Sequence, residues 1–299
     1  MKSRHQSMIY DKTSAFAIRI HCVNKYVGVI LFFSFILFSC KPEKKIARQF
    51  IDKKKSVSVL LLKPDSIYKT NYKVKAITSF DSLPFSVKDS VWKANTLFLD
   101  SIRDSLFIDR FINSIARRFR LLGLKTYTQD SMEAFLSGNG IKFIVNYIQC
   151  ELEEYLDLKK FEFAFEVEGK NTNRELLVNS VNLNNWFDIR MLNTNHTKDI
   201  VFSSQTISDL IDGKFIYYYL SGDVDFDYTY YPMSAKDVAD ISVESGIINA
   251  GYLFDYFMNT YISVNIKDSI PKEYYHYKGY KRKIKVAQDR FLPLNQPPR

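Results

Sequence analysis

Two groups of carboxylates have the residue types and spacing that metal or acid–base chemistry would use. The first group, Asp223, Asp225 and Asp227, occupies every second position. A calcium loop with this spacing needs glycine at its sixth position and glutamate at its twelfth, but Tyr228 and Ser234 stand there. On a strand the three aspartates would simply share one face. The pattern therefore predicts no metal site.

The second group is an acidic run formed by Glu151, Glu153, Glu154 and Asp157. Two facing carboxylates held about 5 to 9 Å apart can hydrolyse a glycosidic bond. The run therefore permits one enzymatic hypothesis, a carboxylate-based glycan hydrolase. Spacing along the chain does not make two carboxylates face each other, and the interpretation we favour is a solvated loop or strand end.

Other catalytic patterns are missing from the sequence. After residue 40 the only histidines are His196 and His276, which leaves little for a zinc site or a Ser/His/Asp triad. Phosphate-binding glycine loops, nucleophile elbows and zinc-protease motifs are also absent. We therefore predict a protein that is not an enzyme, with no catalytic residue, no metal and no cofactor.

A cluster of rings followed by cations is the candidate ligand-binding region. The rings belong to Tyr274, Tyr275, His276 and Tyr277, and the cations are Lys278, Lys281, Arg282 and Lys283. Rings and cations together can bind sugars or lipid head groups by stacking and charge. The alternative, which we favour, is a packed strand edge with a basic outer face.

The N-terminal segment has the pattern of an export signal. An apolar run from Val27 to Ser39 follows a region that contains five Lys or Arg and one Asp. A basic region before a short apolar run is typical of secretory signals, and this run is shorter than the roughly 20 residues of a membrane span. We assign residues 1–39 to a signal peptide.

The end of this segment, Leu37-Phe38-Ser39-Cys40, resembles a lipoprotein lipobox, and Phe-Ser-Cys endings resemble those of Bacteroidota lipoproteins. The resemblance implies that Cys40 carries a diacylglycerol, that cleavage occurs before it, and that the new amine is acylated. Phe38 departs from the small residue usual at that position. The alternatives are an uncleaved signal anchor, or simple secretion in which the position of Cys40 is incidental. We expect an outer-membrane lipoprotein; because no acidic cluster follows Cys40, analogy with related lipoproteins places it facing the periplasm.

The residues after Cys40 are strongly basic, and the whole chain has a formal net charge of +9. We interpret residues 40–56 as a basic tether that lies against anionic lipid head groups; a solvated spacer is the alternative. Nucleic acid is not an expected partner of an exported protein. With Cys22 in the signal and Cys40 lipidated, Cys150 has no disulfide partner, and we interpret it as a small core residue.

Asp-Ser-apolar triplets recur along the chain. They resemble the O-glycosylation acceptor of Bacteroidota, which implies a glycan on the hydroxyl group that follows aspartate. The serines concerned are Ser66, Ser82, Ser90, Ser101, Ser105, Ser131 and Ser269. Helix capping and turn formation by Asp and Ser are the physical alternative.

The hydrophobic pattern predicts an α+β fold. In the first half, strand–helix units on a mixed sheet are expected, including a helix opened by Ser101 or Asp104 and closed by Gly123. In the second half an antiparallel meander is covered by a long helix that runs from the Ser234–Asp237 capping pair to about Ile262. The predicted divisions are residues 57–158, residues 159–292 and a loose tail at 293–299.

These observations lead to a hypothesis about function. The chain is expected to be a lipid-anchored cell-envelope protein with a non-enzymatic scaffold or assembly role, whose partners are the membrane and another envelope protein. A glycan- or lipid-binding module is the alternative, and a glycan hydrolase is the third possibility.

Overall fold

The computed structural model describes residues 42–77, 80–163, 173–194, 198–266, 271–289 and 291. The signal segment, Cys40, His196, Ser269 and the tail at 293–299 lie outside these residues, so the predictions made for them stay predictions.

Short helices and strands alternate in the first half. They are α1 (Pro42–Lys53), β1 (Val57–Leu62), β2 (Tyr68–Asn71), α2 (Tyr72–Lys75), α3 (Phe85–Asn95), α4 (Asp104–Leu122), β3 (Lys125–Tyr127) and α5 (Met132–Ser137). The second half contains longer strands and one long helix. These are β4 (Ile141–Glu162), β5 (Asn173–Met191), β6 (Asp199–Ser208), β7 (Leu210–Tyr218), β8 (Asp223–Tyr231), α6 (Ala235–Asn265), β9 (Tyr275–Lys278) and β10 (Lys283–Val286).

One mixed sheet joins the two halves and confirms the predicted α+β class. Its strand order is β3-β1-β4-β5-β6, and β2 pairs with β4 beyond the end of β1. The pairs made by β1 and β2 are parallel, whereas β4, β5 and β6 are antiparallel. Strand β4 is continuous through residues 158 and 159, so both predicted divisions contribute to the same sheet.

Helix α4 forms where the apolar spacing predicts it. It begins at Asp104, buries Ile108, Phe111, Ile115 and Phe119 on one face, and ends at a residue with left-handed backbone, Gly123, whose φ is 95°. An amphipathic stripe of this kind drives a helix onto a core. The buried face of α4 contacts Tyr147 and Phe187 of the sheet through stacked rings.

Helix α6 packs closely against α4. A Cβ atom on Gly246 would lie 2.6 Å from the carbonyl oxygen of Phe111 and 2.8 Å from Cβ of Ser114, so only glycine fits there. The predicted N-terminal capping box of α6 is also present between Ser234 and Asp237.

The capping box before α5 is formed by Thr128 and Ser131 around a 3-10 turn. One local expectation differs from the structure. The stretch predicted as a basic tether is helical from Pro42, because Ala47 and Phe50 are fully buried and bind α1 to the core. A segment that buries a phenylalanine cannot remain a solvated spacer.

Candidate functional site

A strongly charged groove lies between helix α1 and the β9–β10 hairpin. Its volume is about 790 Å³. We call it the basic groove, because six of its ten lining residues are cationic and one is acidic. It is lined by Lys44, Arg48, Ile51, Asp52, Lys54, Tyr277, Arg282, Lys283, Ile284 and Lys285.

The amphipathic pattern of α1 positions one wall of the basic groove. Ala47 and Phe50 face the core, so Lys44 and Arg48, four residues apart, lie together on the outer face. The helix is also held to the opposite wall by a buried carboxylate. Glu43 accepts hydrogen bonds from the Lys272 backbone N–H at 2.7 Å and from the Tyr275 hydroxyl at 3.0 Å.

The hairpin supplies the other wall through strand alternation. Tyr275 and Tyr277 of β9 are 1% and 6% exposed and pack into the core. In β10 the alternation Lys283-Ile284-Lys285 places two cations on one face of the strand. The connecting turn ends at Arg282, whose backbone is left-handed with φ 47°. This conformation is costly for a residue with a Cβ atom.

The charges of the basic groove are not neutralised within the described part of the chain. None of its six cations forms an ion pair there, although elsewhere Lys63 pairs with Asp109 at 2.5 Å and Lys73 with Glu154 at 2.7 Å. Lys54 instead places its Nζ 5.4 Å from the centre of the Tyr277 ring. The basic groove is therefore a region of positive potential that is open to an external anion.

Two rings of the predicted cluster, those of Tyr275 and Tyr277, are closed to stacking on a ligand. Tyr275 and Tyr277 are buried as the favoured strand-edge interpretation requires, Tyr274 is half-buried, and His276 contacts the buried carboxylate of Asp255. The structure brings the predicted cations Arg282 and Lys283 into the groove. The sequence did not predict that this region and helix α1 line the same groove.

The acidic run is part of a strand, not a loop or a strand end as we had expected. Glu154 lies within β4 and is fully buried. It pairs with Lys73 and accepts hydrogen bonds from the backbone N–H groups of Leu97 and Phe98 at 2.9 and 3.1 Å. The neighbouring Glu153 points to the opposite face and accepts from the Tyr72 hydroxyl, Asn182 and Asn184. These contacts give both carboxylates structural roles.

The three alternating aspartates lie on β8, as predicted, and all are exposed. Lys214 on the paired strand lies 3.8 Å from Asp227. Among the described residues, no group of three or more His, Cys, Asp or Glu side chains is arranged to hold a metal ion.

The β7–β8 hairpin, which we call the distal hairpin, is a second exposed feature. Its inner face packs on the end of β4, where the Phe226 ring lies 4.9 Å from that of Phe161. A Cβ atom on Gly213 would lie 2.4 Å from the Phe226 ring, so glycine makes room for it. At the tip, Tyr219 is 88% exposed and Leu220 is 105% exposed. The exposure of this tip was not predicted from the sequence.

The remaining predicted residues are placed as follows. Cys150 is buried, and burial raises the pKa of its thiol to about 12, which fits a core residue. Among the serines in the Asp-Ser triplets, Ser131 is half-buried and the exposed members are Ser66, Ser82, Ser90, Ser101 and Ser105. Among the described residues, no helix is both long enough and apolar enough to cross a membrane.

Comparison with known proteins adds no family. No protein-family model matches this chain, and no curated protein matches it significantly.

Proposed function

We propose that this chain is a lipid-anchored protein of the bacterial cell envelope with a non-enzymatic scaffold or assembly role, located at the outer membrane and facing the periplasm. The observation that carries the proposal is the exposed apolar tip of the distal hairpin, Tyr219 and Leu220, at the far end of the long strand β4 from helix α1. Exposed apolar surface of this kind often marks a protein interface.

The proposed anchor would hold one end of the folded body close to the membrane. Only Lys41 separates Cys40 from Pro42, where α1 begins, and two residues span at most about 7 Å. Helix α1 leads directly into β1, whose first residue, Val57, pairs with Ile141 at the start of β4. Acyl chains on Cys40 would thus fix this end of the sheet to the bilayer surface.

The distal hairpin packs at the other end of β4. A strand of 22 residues is on the order of 70 Å long when extended. A protein anchored at one end of β4 would therefore present Tyr219 and Leu220 well away from its own anchor. This arrangement suits a protein that bridges a membrane and a partner.

Stacking of a glycan on the ring cluster has less support as an alternative, because Tyr275 and Tyr277 are buried. Exposing them would cost the packing of β9 on the core.

The anchor is tested by the intact mass of the protein extracted from native membranes. We expect a polypeptide that starts at Cys40 and carries acyl chains, and we expect Cys40→Ala to release the protein from the membrane fraction. An unprocessed mass, or membrane retention unchanged by Cys40→Ala, would contradict the proposal.

The scaffold role is tested by photocrosslinking in intact cells. A photoreactive residue at Tyr219 or Leu220 should capture a protein partner, whereas the same residue at Leu121, which is 71% exposed on α4, should not. Recovery of the native protein only as an uncrosslinked monomer would count against a scaffold.

A further inference from the structure

We infer that the basic groove is a binding site for a phosphate-bearing ligand. A membrane phospholipid head group and a soluble phosphate compound share the chemistry that the groove recognises, namely compact negative charge with several acceptor oxygens. The inference goes beyond the proposed scaffold role and does not depend on acylation of Cys40, because it rests on the charges and packing of α1, β9 and β10.

The basic groove has a large excess of positive over negative side chains. Lys44, Arg48, Lys54, Arg282, Lys283 and Lys285 surround one carboxylate, that of Asp52, and form no ion pairs within the described residues. Gathering like charges around one concavity opposes folding, and a bound anion would relieve this repulsion. A phosphate group carries up to two charges and three acceptor oxygens, so it can engage several of these cations at once.

Both walls of the basic groove are held in place by the packing of the fold. Helix α1 cannot swing away, because Phe50 is fully buried and Glu43 bonds to residues beside β9. The opposite wall includes a costly backbone conformation at Arg282, with φ 47° and ψ 36°. Retained strain of this kind is characteristic of functional positions. The guanidinium groups of Arg48 and Arg282 can each donate two hydrogen bonds to one phosphate.

Part of the lining of the basic groove is apolar. Ile51, Ile284 and the edge of Tyr277 lie beside the cations. Such a mixed surface fits a ligand whose phosphate is attached to a less polar group better than it fits a small inorganic ion. This feature favours an amphiphilic phosphate, although the cations would also bind a soluble one.

The experiment uses the full chain in a non-ionic detergent, and binding is measured by isothermal titration. The probes are inorganic pyrophosphate and short-chain phosphatidylglycerol, with short-chain phosphatidylcholine as the neutral comparison. The groove variant is Arg48→Gln/Arg282→Gln/Lys285→Gln. Its matched control removes the same number of exposed Arg and Lys side chains outside the groove, Arg117→Gln/Arg118→Gln/Lys125→Gln.

We expect at least one of the two anionic probes to bind and phosphatidylcholine not to bind. Binding should weaken on the order of 100-fold in the groove variant, since each cation near an anionic surface contributes about 1 kcal/mol. The control should stay within a factor of about 3, because none of its three side chains lines the groove and salt screens the interactions of exposed charges. Phosphatidylglycerol binding alone identifies a lipid head group, and pyrophosphate binding alone identifies a soluble phosphate compound.

Absence of binding by both probes, or equal losses in the groove variant and the control, would overturn the inference. A second readout needs no variant: whichever of the two anionic probes binds should protect Lys44, Lys54 and Lys283 from acetylation but leave Lys125 reactive. Titration of Cys40→Ala with that same probe separates this inference from the proposed function, because loss of the anchor should leave binding of the probe unchanged.

Discussion

The buried carboxylate of Asp255 is hydrogen-bonded to the imidazole Nδ1 of His276 and so joins the long helix α6 to strand β9. The same carboxylate accepts the backbone N–H of Tyr277 at 2.8 Å. One side chain thereby fixes the strand that forms a wall of the basic groove. Asp255 is 5% exposed at its side chain, whereas His276 is 40% exposed.

The Asp255 carboxyl should make stability depend on pH. Burial raises its pKa from 3.8 to about 6, while the Tyr277 N–H and His276 act in the opposite direction. The folded state therefore holds this proton more tightly than the unfolded chain, and the resulting stability is complete below pH 3.8 and lost as the pH rises to about 6. In urea titrations we expect Asp255→Asn to gain about 3 kcal/mol relative to wild type in total, as the pH rises from well below 3.8 to well above 6. A difference between Asp255→Asn and wild type that does not change with pH would contradict the assignment.

Two glycines of α6 should respond in opposite directions to alanine. Gly246→Ala should destabilise the protein by about 1–3 kcal/mol, because the added methyl group would overlap the Phe111 carbonyl oxygen and the Ser114 side chain. Gly251→Ala should stabilise it by about 0.5–1 kcal/mol, because nothing lies within 4 Å and alanine is the better helix former. Thermal and urea unfolding of the pair test this; a stabilising Gly246→Ala would show that α4 and α6 do not pack closely there.

Features that depend on local pattern were predictable from the sequence. The apolar spacing of α4, its terminal Gly123 and the Ser234–Asp237 capping box each act within one or two helical turns, so sequence alone located them. The role of Glu154 could not be found in this way. Its partner Lys73 lies on a segment 81 residues away, and only the parallel pairing of β2 with β4 brings the two together.

The candidate site was predictable only in part. Both basic stretches were visible, but the tether interpretation ignored a three- and four-residue spacing of Ile46, Ala47, Phe50 and Ile51 that indicates an amphipathic helix. The alternation Lys283-Ile284-Lys285 was the corresponding signal for β10. Their meeting in one groove depends on contacts between residues more than 200 positions apart, such as Glu43 with Tyr275.

The Lys73–Glu154 pair should be far more important for stability than a surface pair. Lys73→Met would leave a fully buried carboxylate without its cation, and such losses cost about 3–5 kcal/mol. The exposed pair Lys93–Asp89 provides the control, and Lys93→Met should leave stability nearly unchanged. Urea denaturation compares the two variants. Equal effects would mean that the backbone N–H groups alone satisfy Glu154.

Glycosylation of the Asp-Ser triplets should favour serines whose hydroxyl groups are accessible. Ser66 is exposed next to β2, whereas the Ser131 hydroxyl is half-buried and engaged in the capping box before α5. Peptide mass analysis of native protein should therefore show sugar increments on the Ser66 peptide and an unmodified Ser131. Ser66→Ala should remove the increment. Unmodified masses for all seven Asp-Ser peptides would leave capping and turn formation as the only role of these triplets.

Arg282 should improve ligand binding at the expense of stability. Its left-handed backbone disfavours any residue with a Cβ atom, so Arg282→Gly should raise the free energy of unfolding by about 1 kcal/mol. The same change removes a groove cation and should weaken binding of the anionic probe, phosphatidylglycerol or pyrophosphate, roughly 5-fold. Asn193 has a φ of 58°, but asparagine tolerates this conformation, so Asn193→Gly should change stability little and binding not at all. Urea denaturation and calorimetric titration of both variants provide the measurement. A less stable Arg282→Gly would contradict the backbone strain. Unchanged binding of the anionic probe by this variant would contradict the contribution of Arg282 to the site.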